Sequence, residues 1–156
     1  MSASFKIKPG DFADPRVVAL LERHYTENRA VTPAGSAHVL DLAAMQAPEL
    51  AFFTLWEGEA LLGMGALKRL ADAAGEIKSM RTVDAARRRG VASAMLRHLI
   101  AEARAAGLAR LYLETGSFEY FKPARALYAR HGFVECAPFE GYRADHNSTF
   151  MMLDLP

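Results

Sequence analysis

Apolar and polar positions change period several times along the chain, and each change marks an element. Phe5 and Ile7 alternate with Lys6 and Lys8, which predicts a short strand over Ser4 to Lys8, closed by the turn pair Pro9-Gly10. Asp14 before Pro15 reads as an N-cap followed by a first-turn proline. Val17, Val18, Leu21 and Tyr25 then recur at helical spacing, so a helix is predicted to about Asn28. Ala30 to Pro48 holds two prolines, Gly35 and one apolar patch (Val39, Leu40, Leu42, Met45), which predicts a loop with a short helix. Leu50 to Trp56 is aromatic and branched, and Ala60 to Leu67 follows the Glu57-Gly58 turn, so the two read as a hairpin. Gly63 and Gly65 sit inside the second strand, where glycine serves twist or close backbone approach. Asp72 to Gly75 is a further turn, Glu76 to Val83 a third strand, and Asp84 to Arg89 a polar loop.

From Gly90 the period becomes helical. Val91, Met95 and Leu99 form one row and Ala92, Leu96, Ile100 and Ala103 the next, until Gly107 stops the helix. Leu108 to Glu114 reads as a strand, Pro123 to His131 as a helix ended by Gly132, and Phe133 to Cys136 and Ser148 to Leu155 as the last strands. Antiparallel strands come first and a β-α-β crossover sits in the middle. The expected class is α/β (α+β), a mixed sheet with helices on its faces.

Composition narrows the function classes. A chain of 156 residues fits one domain over residues 1–156, and 51% hydrophobic with 24% charged residues is ordinary for a globular protein. Cys136 is the sole cysteine, so a disulfide framework is excluded. No apolar run approaches the roughly 20 residues that span a bilayer, and the N-terminus lacks a signal-type apolar block. A cytoplasmic protein without a membrane partner is expected. A net charge of +1 argues against a nucleic-acid partner, which calls for a basic excess. His24, His38, His98, His131 and His146 show no metal-type spacing with one another or with Cys136, so no metal is expected.

What matters is where the positive charge is placed. Arg87-Arg88-Arg89-Gly90-Val91-Ala92 stands at a strand-to-helix junction. A helix N-terminus offers unpaired N–H groups and the positive end of the macrodipole, Gly90 lets the backbone come close, and arginines fork onto phosphate oxygens. Those features suit a pyrophosphate. Taken alone, the run is also readable as a solvated basic turn that merely starts a helix.

Arg87-x-x-Gly90-x-Ala92 resembles the Gln/Arg-x-x-Gly-x-Gly/Ala signature of the GCN5-related N-acetyltransferase (GNAT) superfamily. Tyr128-Ala129-Arg130-His131-Gly132-Phe133 looks like that family's Leu-Tyr-x-Lys/Arg-x-Gly-Phe segment, and the order of elements is similar over nearly the whole chain. The resemblance implies the GNAT fold, with about seven mostly antiparallel strands and helices on both faces. It also implies acetyl-coenzyme A as co-substrate. Backbone N–H groups of Arg88, Arg89, Gly90, Val91, Ala92 and Ser93 would cradle the pyrophosphate. The side chains of Arg87, Arg88 and Arg89 would reach the 3′-phosphate, and the Met80, Arg81, Thr82, Val83 strand would pair with the pantetheine arm. Glu76, eleven positions before Arg87, matches the base of the histone-acetylating branch, with Glu114 and His146 as alternatives. Tyr128 would protonate the leaving thiolate. Many members carry Asn seven residues before that tyrosine. Phe121 stands there instead, so that contact is missing or falls to Lys122 or Arg125.

The same resemblance places an acceptor pocket among Tyr25, Arg29, His38, Glu114, Thr115, Tyr142 and Asn147. The tail around Tyr142 and Asn147 looks like a bacterial branch carrying small-molecule or indole-acetate-related labels. The function implied is direct acetyl transfer, in a ternary complex, to a primary amine of a small molecule, by a monomer or homodimer. Two other readings stand beside it: a protein or peptide N-acetyltransferase, and a non-catalytic acyl-coenzyme A-binding regulatory domain.

Overall fold

The computed structural model describes residues 4–156. Its elements are β1 (Phe5–Pro9), α1 (Pro15–Val31), β2 (Leu50–Glu57), β3 (Ala60–Arg69), β4 (Ala74–Thr82), α2 (Val91–Ala105), β5 (Arg110–Gly116), α3 (Lys122–Arg130), β6 (Val134–Glu135) and β7 (Ser148–Asp154). Helix α1 starts as expected, because the Asp14 carboxylate accepts from the Arg16 N–H and Pro15 holds the first turn. It runs past Asn28 to Val31 and stops before Pro33, whose ring disfavours helix in the residue before it. The short helix expected in the Ala30–Pro48 stretch is replaced by two 3₁₀ turns, Ala34–Ser36 and Ala44–Gln46. The Phe133–Cys136 strand shrinks to two exposed residues paired with Met152 and Met151.

Seven strands form one sheet in the order β1-β2-β3-β4-β5-β7-β6, and every neighbouring pair is antiparallel except β4–β5. That parallel pair positions the site. It is joined only by Ala74↔Arg110, Gly75↔Leu111 and Glu76↔Tyr112, after which the two strands part. Beyond Glu76, β4 stays bound to β3 through a bulge in which Ser79 has φ 55°, whereas β5 is paired along its whole length with β7. A cleft therefore opens between β4 and β5.

Alternation of side chains puts the core on both faces of the sheet. Leu55, Leu67 and Ile77 pack with Met95, Leu96 and Leu99 of α2 and with Leu127 and Tyr128 of α3. On the other face Phe52, Trp56, Met64 and Ala66 pack with Val17, Leu20 and Leu21 of α1. The strand glycines serve close approach: a Cβ on Gly65 would lie 2.7 Å from the Met95 Cγ and 3.1 Å from a Leu99 methyl. Gly65→Val is expected to destabilise the fold by about 1–3 kcal/mol through overpacking, measured by urea denaturation. An unchanged midpoint would show that α2 can lift from the sheet freely. Among the described residues no helix is long and apolar enough to cross a membrane.

Candidate active site

The turn before α2 has a backbone suited to an anion. Arg88 has φ 64° and Gly90 has φ 82°, so two residues close together adopt left-handed conformations. No side chain caps the helix, and the Ala94 N–H to Gly90 carbonyl bond at 3.0 Å is the first of its ladder. The N–H groups of Val91, Ala92 and Ser93 thus have no intrahelical acceptor, and the 15-residue helix adds its dipole. The arginine side chains are less free than their number implies. Arg87 pairs with Asp84 at 2.9 Å and Arg89 with Glu57 at 2.7 Å, while Arg88 enters no ion pair among the described residues. The anion-binding groups of this turn are therefore mainly backbone N–H groups.

Between the parted strands lies a cavity of about 120 Å³. Met80 and Tyr128 line it, as do the acceptor candidates His38, Glu114, Thr115 and Asn147. The Tyr128 hydroxyl is pushed well above its ordinary range by burial and then by the nearby Glu114 charge, so it stays protonated and can donate. Burial likewise raises the Glu114 carboxyl. His24, on the α1 wall, is pushed down to about 4 by burial and then by Arg81, so its ring is neutral. His38 is lowered too, by burial and then by Lys78.

Other expected residues lie elsewhere. Tyr25 and Arg29 do not line the cavity; they form a cation–π pair with the guanidinium 5.3 Å from the ring centre. Arg81 is bound to Glu27, which leaves its backbone rather than its side chain for a ligand. Thr82 ends β4, and Val83, expected in the strand, lies just past it with its N–H taken by the Leu62 carbonyl at 2.9 Å. Arg125 donates to the carbonyls of Gly116 (2.8 Å) and Phe118 (2.9 Å), so that nitrogen ties the end of β5 to the chain entering α3. Phe121 lines the cavity with its ring against Gly116, where a Cβ would lie 2.1 Å from the ring. His146 is exposed and outside the cavity.

Glu76 is only 3% exposed and does not line the Tyr128 cavity. The Tyr142 hydroxyl donates to its Oε2 at 2.6 Å, and the Lys78 Nζ stands 3.4 Å from the same oxygen. Glu76, Tyr142 and His38 line a neighbouring open cavity of about 560 Å³. Sequence reasoning overlooked His24, Asn28 and Lys78. The first two stand four apart on α1, one position round from the Tyr25 row, and Lys78 shares a strand face with Glu76. Among the described residues no group of three or more His, Cys, Asp or Glu side chains is arranged to hold a metal ion.

Known proteins share this architecture. The family model described as "Acetyltransferase (GNAT) family" matches residues 16–133. The chain is 45% identical over 151 residues to the uncharacterized N-acetyltransferase YedL of Escherichia coli (strain K12), covering 97% of this chain and 95% of that one. It is 46% identical over 149 residues to the uncharacterized N-acetyltransferase YsnE of Bacillus subtilis (strain 168), covering 96% and 99%. A Bacillus subtilis acetyltransferase solved in complex with CoA superposes with a TM-score of 0.74 at 17% identity, covering 98% and 100%. With the parted β4–β5 pair and the glycine turn at α2 in place, the chain belongs to the GNAT acetyltransferase family and is an acyltransferase.

Proposed function

We propose that this protein transfers an acetyl group from acetyl-coenzyme A to a primary amine of a small molecule, directly and within a ternary complex. The observation that carries the reading is that the Glu114 carboxyl and the Tyr128 hydroxyl line one small cavity at the point where β4 and β5 part. Backbone N–H groups from Arg88 to Ser93 hold the pyrophosphate, and the edge of β4 around Met80 and Arg81 that β5 leaves open holds the pantetheine arm by strand-like bonding. Acetyl-coenzyme A supplies an acetyl group activated as a thioester.

Glu114 takes the proton that an ammonium must lose before its nitrogen can attack, a task that a carboxylate raised by burial performs better than an exposed one. A β4 N–H near the bulge at Ser79 meets the charge that develops on the carbonyl oxygen. Tyr128 gives its proton to the departing sulfur. Cys136 does not line the cavity and the volume is small, which favours direct transfer to a compact acceptor over a protein chain. Glu76, bound by Tyr142 and Lys78, holds the wall of the cavity rather than the reacting proton.

Saturation with acetyl-coenzyme A at about 100 times its Kd should stabilise the fold by about 2.7 kcal/mol through linkage, a rise of roughly 5–10 °C in Tm for a chain of this size. A panel of small amines should then release free thiol from it. No Tm shift at saturation would overturn the cofactor reading; a shift without thiol release from any amine or amino acid would leave a binding domain instead of an enzyme.

A further inference from the structure

Helix α1 changes character where it reaches the cleft. Its inward stripe begins apolar, with the buried Val17, Leu20 and Leu21, and continues at the same spacing with His24, Asn28 and the C-cap Thr32. These three polar residues line the cavity that holds Glu114 and Tyr128. Leucines there would extend the core stripe; a row of uncharged hydrogen-bonding groups costs desolvation unless something pairs with it.

The bonds within the row leave two atoms free. The Asn28 Nδ2 donates to the His24 carbonyl at 3.2 Å, and because a carbonyl oxygen only accepts, this bond fixes which end of the amide is nitrogen. The same nitrogen stands 3.5 Å from the His24 Nδ1, which assigns Nδ1 as the acceptor and places the ring proton on Nε2. The ring is therefore neutral, in keeping with the fall of its pKa to about 4 through burial and then Arg81. Neither the His24 Nε2–H nor the Asn28 Oδ1 has a partner among the described residues, and neither is a sealed atom, as the unpartnered His98 Nε2 and Ser148 Oγ are. Helix α1 thus offers the cavity one donor and one acceptor, four residues apart on one face.

The rest of the lining holds one carboxylate, Glu114, and no free cation among the described residues. Lys78 is committed: its Nζ donates to the His38 carbonyl at 3.3 Å and to the Tyr142 hydroxyl at 3.0 Å, and the Glu76 Oε2 at 3.4 Å is its counter-ion. Arg81, next along β4 from the lining residue Met80, is bound to Glu27. His38 is lowered by burial and then by Lys78, which keeps its ring neutral. An anionic group entering here would give up its hydration without meeting an opposite charge. A carboxylate also cannot donate to the Asn28 Oδ1, whereas a hydroxyl or a primary amide both donates and accepts.

We infer that His24 and Asn28 form a subsite for an uncharged hydroxyl or amide group, and that the acceptor is a small amino alcohol or amino amide, its amine toward Glu114 and its polar end toward α1. The inference rests on the acetyl-transfer reading of this cavity. An alkylamine of the same size leaves both α1 atoms unpaired, and an amino acid brings a charge that nothing in the lining neutralises.

The test compares amines of matched size in thiol release from acetyl-coenzyme A. One set is ethanolamine, glycinamide, propylamine and glycine; the other is 3-amino-1-propanol, β-alaninamide, butylamine and β-alanine. At least one alcohol or amide should show kcat/KM about tenfold or more above both the alkylamine and the amino acid of its set. His24→Leu and Asn28→Leu should each erase most of that preference over the alkylamine, chiefly through KM. His24→Gln, whose amide N–H stands in for the ring Nε2–H, should keep it to within about threefold. A wild-type rise in Tm with coenzyme A shows that a variant is folded with its cofactor site intact; where a leucine variant fails that check, the wild-type ranking and His24→Gln decide. An alkylamine or amino acid that matches or exceeds every alcohol and amide overturns the inference and leaves the acetyltransferase reading standing. So does a preference that survives in both leucine variants, or an equal loss in His24→Gln and His24→Leu. Failure to bind acetyl-coenzyme A, or no thiol release from any amine, overturns both.

Discussion

Glu114→Gln is expected to lower kcat at least a hundredfold while changing the affinity for coenzyme A by less than about threefold, since a positioned acid–base group contributes about 10²–10⁴ in rate. The side chain keeps its shape and its place opposite Phe150 on β7, so the loss reads the proton and not the packing. The pH profile adds an independent check. Burial raises the folded Glu114 pKa above 4.5, and the working form is the carboxylate. Activity is therefore present above that raised value and falls as pH drops through it, which places the acidic limb of kcat/KM higher than an ordinary glutamate would. Glu76→Gln should lose far less activity, because the carboxylate it removes faces Tyr142 and Lys78 and not the Tyr128 cavity. A hundredfold loss in Glu76→Gln with a mild effect in Glu114→Gln would reverse the assignment.

The positions of these two glutamates show what spacing along one strand leaves out. Counting eleven positions from Arg87 locates Glu76 on the right strand, but spacing along one strand says nothing of where its neighbour leaves it. The β4–β5 ladder ends at Glu76↔Tyr112, so Glu76 stays under the closed part of the sheet. Glu114, two residues past Tyr112 on β5, reaches the open part. The glycine turn and the Tyr128 segment were legible because their demands are local: a left-handed backbone at Gly90 and a buried row on α3. The α1 wall was not. His24 and Tyr25 differ by one position, and which of them faces the cleft depends on how α1 lies across β4. The short helix expected within Ala30–Pro48 gave way to two 3₁₀ turns for a similar reason. The order of that stretch comes from partners far along the chain, including the Ser36–Asp145 bond and the Lys78 bond to the His38 carbonyl.

Gly90→Val should weaken coenzyme A binding at least tenfold, and the loss should lie in the phosphates. At φ 82° an L-residue is strained, and a β-branched one most of all, at a cost of roughly 1–3 kcal/mol. No heavy atom lies within 4 Å of the added Cβ, so the cost is conformational and not a clash. The turn can relieve it only by rotating toward negative φ, which turns the N–H groups of Val91 to Ser93 away from the anion. Arg87 and Arg89 are partly engaged with Asp84 and Glu57, which leaves the backbone as the main anion ligand. Those pairs are exposed and each contributes about 0–1 kcal/mol at most, so Arg87→Ala or Arg89→Ala should reduce affinity less than the glycine change does. Pantetheine, which has no phosphate, separates the causes in a calorimetric titration. If the turn works through its backbone, Gly90→Val weakens coenzyme A and leaves pantetheine nearly unaffected. Equal weakening of both ligands would mean that the substitution disorders the cleft, and unchanged coenzyme A affinity would remove the turn from the binding site.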